Sequence, residues 1–242
     1  QEAIDPVRAI TNRSSGKQGF ALAQAALDLG ASVTLISGPT ALTEPVGLMR
    51  VDVRSAQEML QAVLAKLHHA DALLMAAAVA DFRPSESARQ KIKKEDGIPQ
   101  IALVRNPDIL SAVAEIKKEQ GTPEVVVGFA AESQDLLSNA TRKLHTKQLD
   151  LIVANDISAA DAGFNVDTNR VVILDAEGGE NRLPLLSKAE VAEFVVRQVA
   201  RRLRTRSLVH ICPRVDWEAA CQQGEYRAKS LENEGFIHCS TP

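Results

Sequence analysis

The residues Asn12-Arg13-Ser14-Ser15-Gly16-Lys17-Gln18-Gly19 are of the types that hold a phosphate. They make a polar turn punctuated by glycine, and residues 20–29 follow as good helix formers with apolar positions at helical spacing. A turn that opens a helix leaves backbone N–H groups without partners and puts the positive end of the helix dipole beside them. Gly16 and Gly19 let backbone approach a ligand where a Cβ would clash. Ser14 and Ser15 can cap the helix or donate to a phosphate oxygen. The same turn equally suits a capped helix that holds no ligand.

The turn lacks two well-defined fingerprints. It is Ser-Ser-Gly-x-x-Gly rather than Gly-x-Gly-x-x-Gly, and no acidic residue clearly ends the next strand to hold a ribose. Lys17 lies between the glycines rather than after a Gly-x-x-x-x-Gly, so a Walker loop does not fit. A Rossmann-type nicotinamide oxidoreductase is therefore a disfavoured alternative. Cations for a triphosphate are present: Lys91, Lys93 and Lys94 cluster in a polar loop, and Lys143 and Lys147, four apart, share a helix face. Either cluster also reads as a solvated surface. No His stands near a suitable Ser or Cys, so no catalytic triad is visible.

These groups need a scaffold. After the first helix, Gly30-Ala31 closes it and residues 32–39 read as a strand and turn. Residues 49–53 read as a short edge strand. Ser55 caps a helix to about His69, with Met59, Leu60, Val63, Leu64 and Leu67 on its apolar face. Residues 72–78 form a continuous apolar strand that runs out into 79–84. Further strands are expected over 101–104, 125–129, 151–155 and 170–174. Asn106-Pro107-Asp108 opens a helix with Pro near its first position, and other helices are expected over about 133–148 and 188–203. Strands alternating with helices imply a parallel sheet covered on both faces, with ligands outside the carboxyl ends of the strands. Asp81, Asn155 and Phe129-Ala130-Ala131-Glu132 should then meet the glycine turn at one rim. Taken singly, Asp81 also reads as a cap and Asn155 as an Asx turn.

Composition narrows the class. The chain of 242 residues is 45% hydrophobic with only 3% aromatic residues, which suits a core of Ala, Val, Leu and Ile under helices. A net charge of −3 does not indicate a nucleic-acid groove. No apolar run approaches the roughly 18 residues of a membrane span, and no signal peptide is visible. Cys212, Cys221 and Cys239 lie late and without Cys-x-x-Cys spacing, which argues against a disulfide framework or zinc site and fits a cytoplasmic protein.

Several motifs now stand in order: Ile4-Asp5-Pro6-Val7-Arg8, Asn12 with Ser14-Ser15-Gly16 and Gly19, Ala77-Ala78-Val79-Ala80-Asp81-Phe82, Lys91-Ile92-Lys93-Lys94, Asn106-Pro107-Asp108-Ile109-Leu110, Gly128-Phe129-Ala130-Ala131-Glu132, Lys143 and Lys147 before Asp150, and Ala154-Asn155-Asp156. Together they closely resemble phosphopantothenoylcysteine synthetase over about residues 1–203. In bacteria that enzyme is the carboxy-terminal half of a bifunctional decarboxylase/synthetase of coenzyme A biosynthesis. The resemblance implies an α/β fold, a Rossmann-like three-layer sandwich with a mainly parallel sheet. The family's first strand and its Gly-Gly-Thr precede Gln1, so the sheet is expected to lack that strand, and the flavin-dependent decarboxylase half is not part of this sequence. A truncated fragment that dimerises and binds nucleotide without turnover is the alternative that this departure raises.

The implied reaction joins 4′-phosphopantothenate and L-cysteine at the expense of CTP, through an acyl-cytidylate, with Mg²⁺ on the triphosphate. Such chemistry rests on positioning and charge neutralisation more than on a protein nucleophile. The resemblance places Asn12 at the reacting carboxylate. It gives Ser14, Gly16 and Gly19 to the nucleotide, and Ala76, Ala77, Ala78 and Asp81 to the region that nucleotide and phosphopantothenate share. Lys91 sits on a mobile loop that closes over the triphosphate and counts with Asn12 as catalytic. Pro107, Asp108, Ile109, Leu110 and Phe129 frame base and sugar, and Lys143 and Lys147 also reach the nucleotide. Arg8 is expected to reach phosphopantothenate held by a neighbouring subunit, which makes a homodimer part of the site. Which residues would ligate the metal stays open at this point.

Beyond a linker over 204–208, residues 209–242 change in composition. They carry all three cysteines, Trp217 and Tyr226, and resemble the opening of a small bacterial domain family of unknown function. So short a piece cannot build its own core.

Overall fold

The structure is a computed structural model that describes residues 1–132, 135–156 and 166–203. Strand β1 (Glu2–Ala3) pairs antiparallel with β2 (Ala9–Ile10), and helix α1 (Lys17–Asp28) follows the glycine turn. β3 (Thr34–Ser37) and β4 (Met49–Asp52) pair in parallel, and α2 (Ala56–Leu67) leads to β5 (Ala72–Met75). β6 (Phe82–Pro84) and β7 (Leu103–Arg105) make an antiparallel ribbon before α3 (Ile109–Gln120). Then come β8 (Val125–Glu132), α4 (Leu136–Thr146), β9 (Leu151–Asp156), β10 (Thr168–Asn169), β11 (Val171–Asp175), β12 (Glu180–Arg182), β13 (Leu186–Ser187) and α5 (Lys188–Arg202).

The central sheet runs β12-β11-β9-β8-β5. The runs 125–127, 151–154 and 171–174 in β8, β9 and β11 are apolar on both faces because both faces are covered. Alternate residues point to opposite sides. Val125, Val127, Leu151, Val153, Val171 and Ile173 pack with α1 and α5 on one side. Val126, Ile152, Ala154, Val172 and Leu174 pack with α2, α3 and α4 on the other. That is the three-layer sandwich. Each fully buried Val, Leu or Ile contributes about 1.5–3 kcal/mol.

The sheet is mostly parallel, not wholly so. β5, β8 and β9 run in parallel, whereas β11 returns antiparallel to β9 and β12 antiparallel to β11. β3 and β4 form a separate pair, and among the described residues no strand joins β3 to β5. Several boundaries differ from the sequence reading. The strand expected over 72–78 ends at Met75, where its pairing with β8 stops, and further on the Val79 and Ala80 carbonyls accept from Asn12 and Asn106. The ribbon strand β6 and the hairpin strand β1 were not foreseen. Pro107 precedes the N-cap Asp108 instead of occupying the first helical position. Residues 204–242, with the cysteines and the second resemblance, lie outside the described residues, as does the start of the helix expected from 133.

Helix starts follow capping chemistry. Ser55 caps α2 through Glu58 N–H at 3.1 Å, and buried Glu2 accepts from Ala56 N–H at 2.8 Å, tying the first hairpin to α2. Ser187 and Glu190 form a capping box on α5. One close approach decides a residue type: a Cβ on Gly128 would stand 2.5 Å from Leu149 Cδ1. Gly128→Ala is expected to cost about 1–3 kcal/mol by overpacking, read as a lower urea midpoint at unchanged slope. A midpoint equal to that of the unaltered chain would mean Leu149 turns aside freely.

Candidate functional site

The glycine turn enters α1 through Gly16, whose φ of 74° is the left-handed conformation that favours glycine. No side chain caps the helix, contrary to the expectation for Ser14 and Ser15. Their hydroxyls lie 3.4 Å from Gly16 N and Lys17 N, too far for a strong bond. α1 has no acidic residue in its first turn, and a Cβ at Gly19 would meet nothing within 4 Å. The first turn is thus open and electropositive. Lys17 is turned away to Asp167 at 2.5 Å, and its hydrogen bond and charge hold the Asp167 carboxyl below its usual pKa.

Amides tie this turn to the sheet. Asn155 at the end of β9 donates to Asn169 Oδ1 at 3.3 Å, Asn169 donates to Gln18 Oε1 at 3.1 Å, and Gln18 donates to the Lys188 carbonyl at 3.1 Å. Asn155 Oδ1 is buried with no partner among the described residues. Asn155 therefore does share a rim with the glycine turn, through two residues that sequence spacing did not single out.

A second join involves Asn12. Its Nδ2 donates to the Val79 carbonyl at 3.0 Å, which brings the turn beside Ala76, Ala77, Ala78 and Asp81. Asn106 supports the same segment. Its side chain donates to Ala80 O at 2.8 Å, its backbone N–H donates to Asp81 O at 2.8 Å, and its Oδ1 accepts from Arg83 at 3.2 Å. Asn12, Ser14, Ala77 and Asp81 are all exposed.

Lys91 is exposed on the loop between β6 and β7. The backbone beside it is held by the first hairpin: Ile92 N–H donates to Asp5 Oδ2 at 3.2 Å and Arg8 Nη2 donates to Ile92 O at 2.9 Å. Arg8 also pairs with Asp5 of its own chain. The Arg8 guanidinium, helped by backbone N–H donors and against the cost of burial, keeps the Asp5 carboxyl far below the usual carboxylate range.

At the start of α3, Ile109 and Leu110 are core residues, 3% and 8% exposed. Their side chains pack into the core on the α2–α4 side of the sheet. Asp108 caps the helix by accepting from Ser111 N–H at 3.0 Å. Lys147 pairs with Asp108 and donates to Ser111 Oγ at 3.1 Å, and Lys143 donates to the Phe129 carbonyl at 2.7 Å. The two lysines thus line the rim between β8 and α3, close to Pro107 and Phe129. Burial raises the Asp108 pKa, but Lys147 and Ser111 outweigh it and leave the carboxyl below its ordinary 3.8. Stability from a lowered carboxylate is present above the unfolded pKa and is lost as pH falls through the folded one. The cap should hold at neutral pH and weaken only below about pH 4. Calorimetric titration with CTP tests whether this rim takes a nucleotide: affinity lower in Lys147→Ala by about 1.5–3 kcal/mol, most strongly at low salt, would put the ammonium on the ligand. Equal affinity in both chains would leave Lys147 a helix-cap partner only.

The structure therefore gathers the sequence-derived residues into three neighbourhoods: the glycine turn with Asn12 and 76–81, the Lys91 loop with Arg8, and the α3 start with Lys143 and Lys147. Sequence reasoning gave no role to the side chains of Asn106, Ser111, Asn169 or Gln18, and quoted Asp5 without a role; only the Asp5–Arg8 spacing of three hinted at a pair. Among the described residues no three His, Cys, Asp or Glu side chains converge as a metal cage, and no helix is long and apolar enough to cross a membrane. A hollow of about 500 Å³ lined by Lys117, His145 and Asp150 contains none of the site residues.

The family model for the DNA/pantothenate metabolism flavoprotein C-terminal domain matches residues 1–203. Residues 211–242 match a family described as protein of unknown function DUF952. Over 201 residues the chain is 48% identical to the coenzyme A biosynthesis bifunctional protein CoaBC of Vibrio vulnificus (strain CMCP6), a match that takes in 82% of this chain and 49% of that protein. The chain thus spans about half the length of the curated relatives it matches. The crystal structure of the C-terminal domain of CoaBC superposes with a TM-score of 0.70 at 40% identity, over 84% of this chain and 90% of that one. A Cab2 mutant in complex with phosphopantothenate-cysteine superposes at 0.63 with 19% identity, over 83% and 82%, a likeness of fold alone.

Proposed function

The chain belongs to the family of the DNA/pantothenate metabolism flavoprotein C-terminal domain, and from that membership we propose that it is the ligase that joins 4′-phosphopantothenate to L-cysteine in coenzyme A biosynthesis, with CTP as co-substrate. The observation that carries this reading is the Asn12–Val79 hydrogen bond. It sets an open helix N-terminus for phosphate and an exposed carboxamide at one rim, inside the segment the family model spans.

The phosphopantothenate carboxylate attacks the α-phosphorus of CTP and pyrophosphate leaves. The amine of cysteine then attacks the acyl carbon of the cytidylate, loses a proton, and CMP leaves as the amide forms. The glycine turn holds phosphate through backbone N–H groups. Lys91, Lys143 and Lys147 offset its charge. Asn12 Nδ2 keeps one N–H beyond the Val79 bond, which can donate to the acyl oxygen as it gains charge. Mg²⁺ would be held chiefly by the triphosphate oxygens and would offset their charge.

The homodimer, the cytoplasmic setting and a decarboxylase domain in the full-length protein belong to the same proposal. Supporting the dimer, Val7, Phe82 and Leu103 expose apolar side chains at 66%, 48% and 51% on the hairpin and the β6–β7 ribbon. A nucleotide-binding chain without turnover is the second reading, favoured by β5 ending the central sheet with every residue part-exposed. Phosphopantothenate consumption in the presence of CTP, with and without cysteine, tests the proposal. Ligation requires pyrophosphate release that depends on phosphopantothenate, and amide product only when cysteine is added. ATP in place of CTP checks the base. CTP binding with no pyrophosphate release would establish the second reading.

A further inference from the structure

We propose that Asp5 is a positioning residue for the nucleotide half of the reaction, holding the Lys91 loop in register through Ile92. The inference rests on the ligase reading above. The two carboxylate oxygens of Asp5 have different tasks. Oδ1 accepts from Val7 N–H at 2.8 Å and Arg8 N–H at 2.9 Å, which closes the hairpin turn. Oδ2 accepts from Arg8 Nε at 2.9 Å, from Arg8 Nη2, and from Ile92 N–H at 3.2 Å, 87 residues away. A local turn needs only the first oxygen. The second reaches the loop.

Arg8 completes the clamp. Its Nη2 donates to Ile92 O at 2.9 Å, so both peptide groups of Ile92 are held, directly between Lys91 and Lys93. Ala88 N–H donates to Ile4 O at 2.9 Å and tethers the loop a second time. The Asp5 side chain is fully buried while that of Arg8 is 45% exposed. A buried carboxylate held by charge-assisted bonds is a stiff anchor. Lys91 itself stays exposed: its base is fixed and its ammonium is free to swing. Arg8 presents an open edge to solvent from the same clamp, so an anion bound there acts on the guanidinium that holds Ile92.

Asp5→Asn in the full chain tests this, with pyrophosphate release and amide hydrogen exchange as readouts. Expected are a fall in kcat for pyrophosphate release of about ten- to hundredfold, little change in the KM for cysteine, and faster exchange across residues 88–94. In a Lys91→Ala background, Asp5→Asn should cost less than about twofold more, because both act through one group. If Asp5→Asn does not fold, Ile92→Pro removes the loop's donor while leaving Asp5 and the hairpin intact, and the same cycle applies. Multiplying effects of Asp5→Asn and Lys91→Ala, or unchanged exchange over 88–94, overturns the proposal. If the unaltered chain releases no pyrophosphate, the ligase reading fails, and the exchange measurement alone decides the clamp.

Discussion

Asn12→Asp is expected to slow amide formation about a hundred- to thousandfold, the usual cost of one lost donor to a developing oxyanion, while pyrophosphate release continues. The carboxamide has two N–H groups. One is given to the Val79 carbonyl at 3.0 Å, and the other remains for the acyl oxygen that gains charge as cysteine attacks. A carboxylate keeps the size but offers no donor, and sets a negative charge beside an anionic intermediate. It also faces the Val79 carbonyl with a second acceptor, so the side chain must turn away. Acyl-cytidylate should accumulate and be detectable by mass spectrometry with cysteine present. If the variant folds and binds CTP but releases no pyrophosphate and shows no intermediate, Asn12 serves the first half-reaction or phosphopantothenate binding.

Lys91→Ala should act on the opposite half. The ammonium is exposed at the clamped loop, suited to meeting the charge that passes to pyrophosphate as the α-phosphorus is attacked. Its loss should lower the rate of pyrophosphate release by about two orders of magnitude. Preformed acyl-cytidylate supplied to the variant should react with cysteine at nearly the normal rate. Lys91→Arg keeps the charge and should retain much more activity than Lys91→Ala. A variant that releases pyrophosphate within about twofold of normal while losing the second step would reverse the assignment of Lys91. Carried out together, the two substitutions divide the reaction at its intermediate.

Much of the layer plan is legible in the chain because burial leaves a local trace. The Val125-Val126-Val127 and Leu151-Ile152-Val153 runs are apolar throughout, and only a strand covered on both faces needs that. The apolar stripe of α2 and its Ser55 cap are likewise written in spacing. The glycine at position 16 is legible for the same reason: the left-handed turn there favours that residue. What could not be read locally depends on partners far away in sequence. β6 and β7 are three residues each, joined by a long polar loop, so neither announces a ribbon. β11 runs antiparallel to β9, a direction that its own apolar residues do not announce. The Asn155–Asn169–Gln18 chain spans sequence separations of 14 and 151, and amides carry no periodic signal. Asp5 reads as a turn residue until Ile92 arrives beside its second oxygen. Residue type and spacing set which groups could do chemistry, since caps, turns and buried strands are local. Which of those groups share a rim, and which are held by other side chains, was set by hydrogen bonds that close only when the chain has folded.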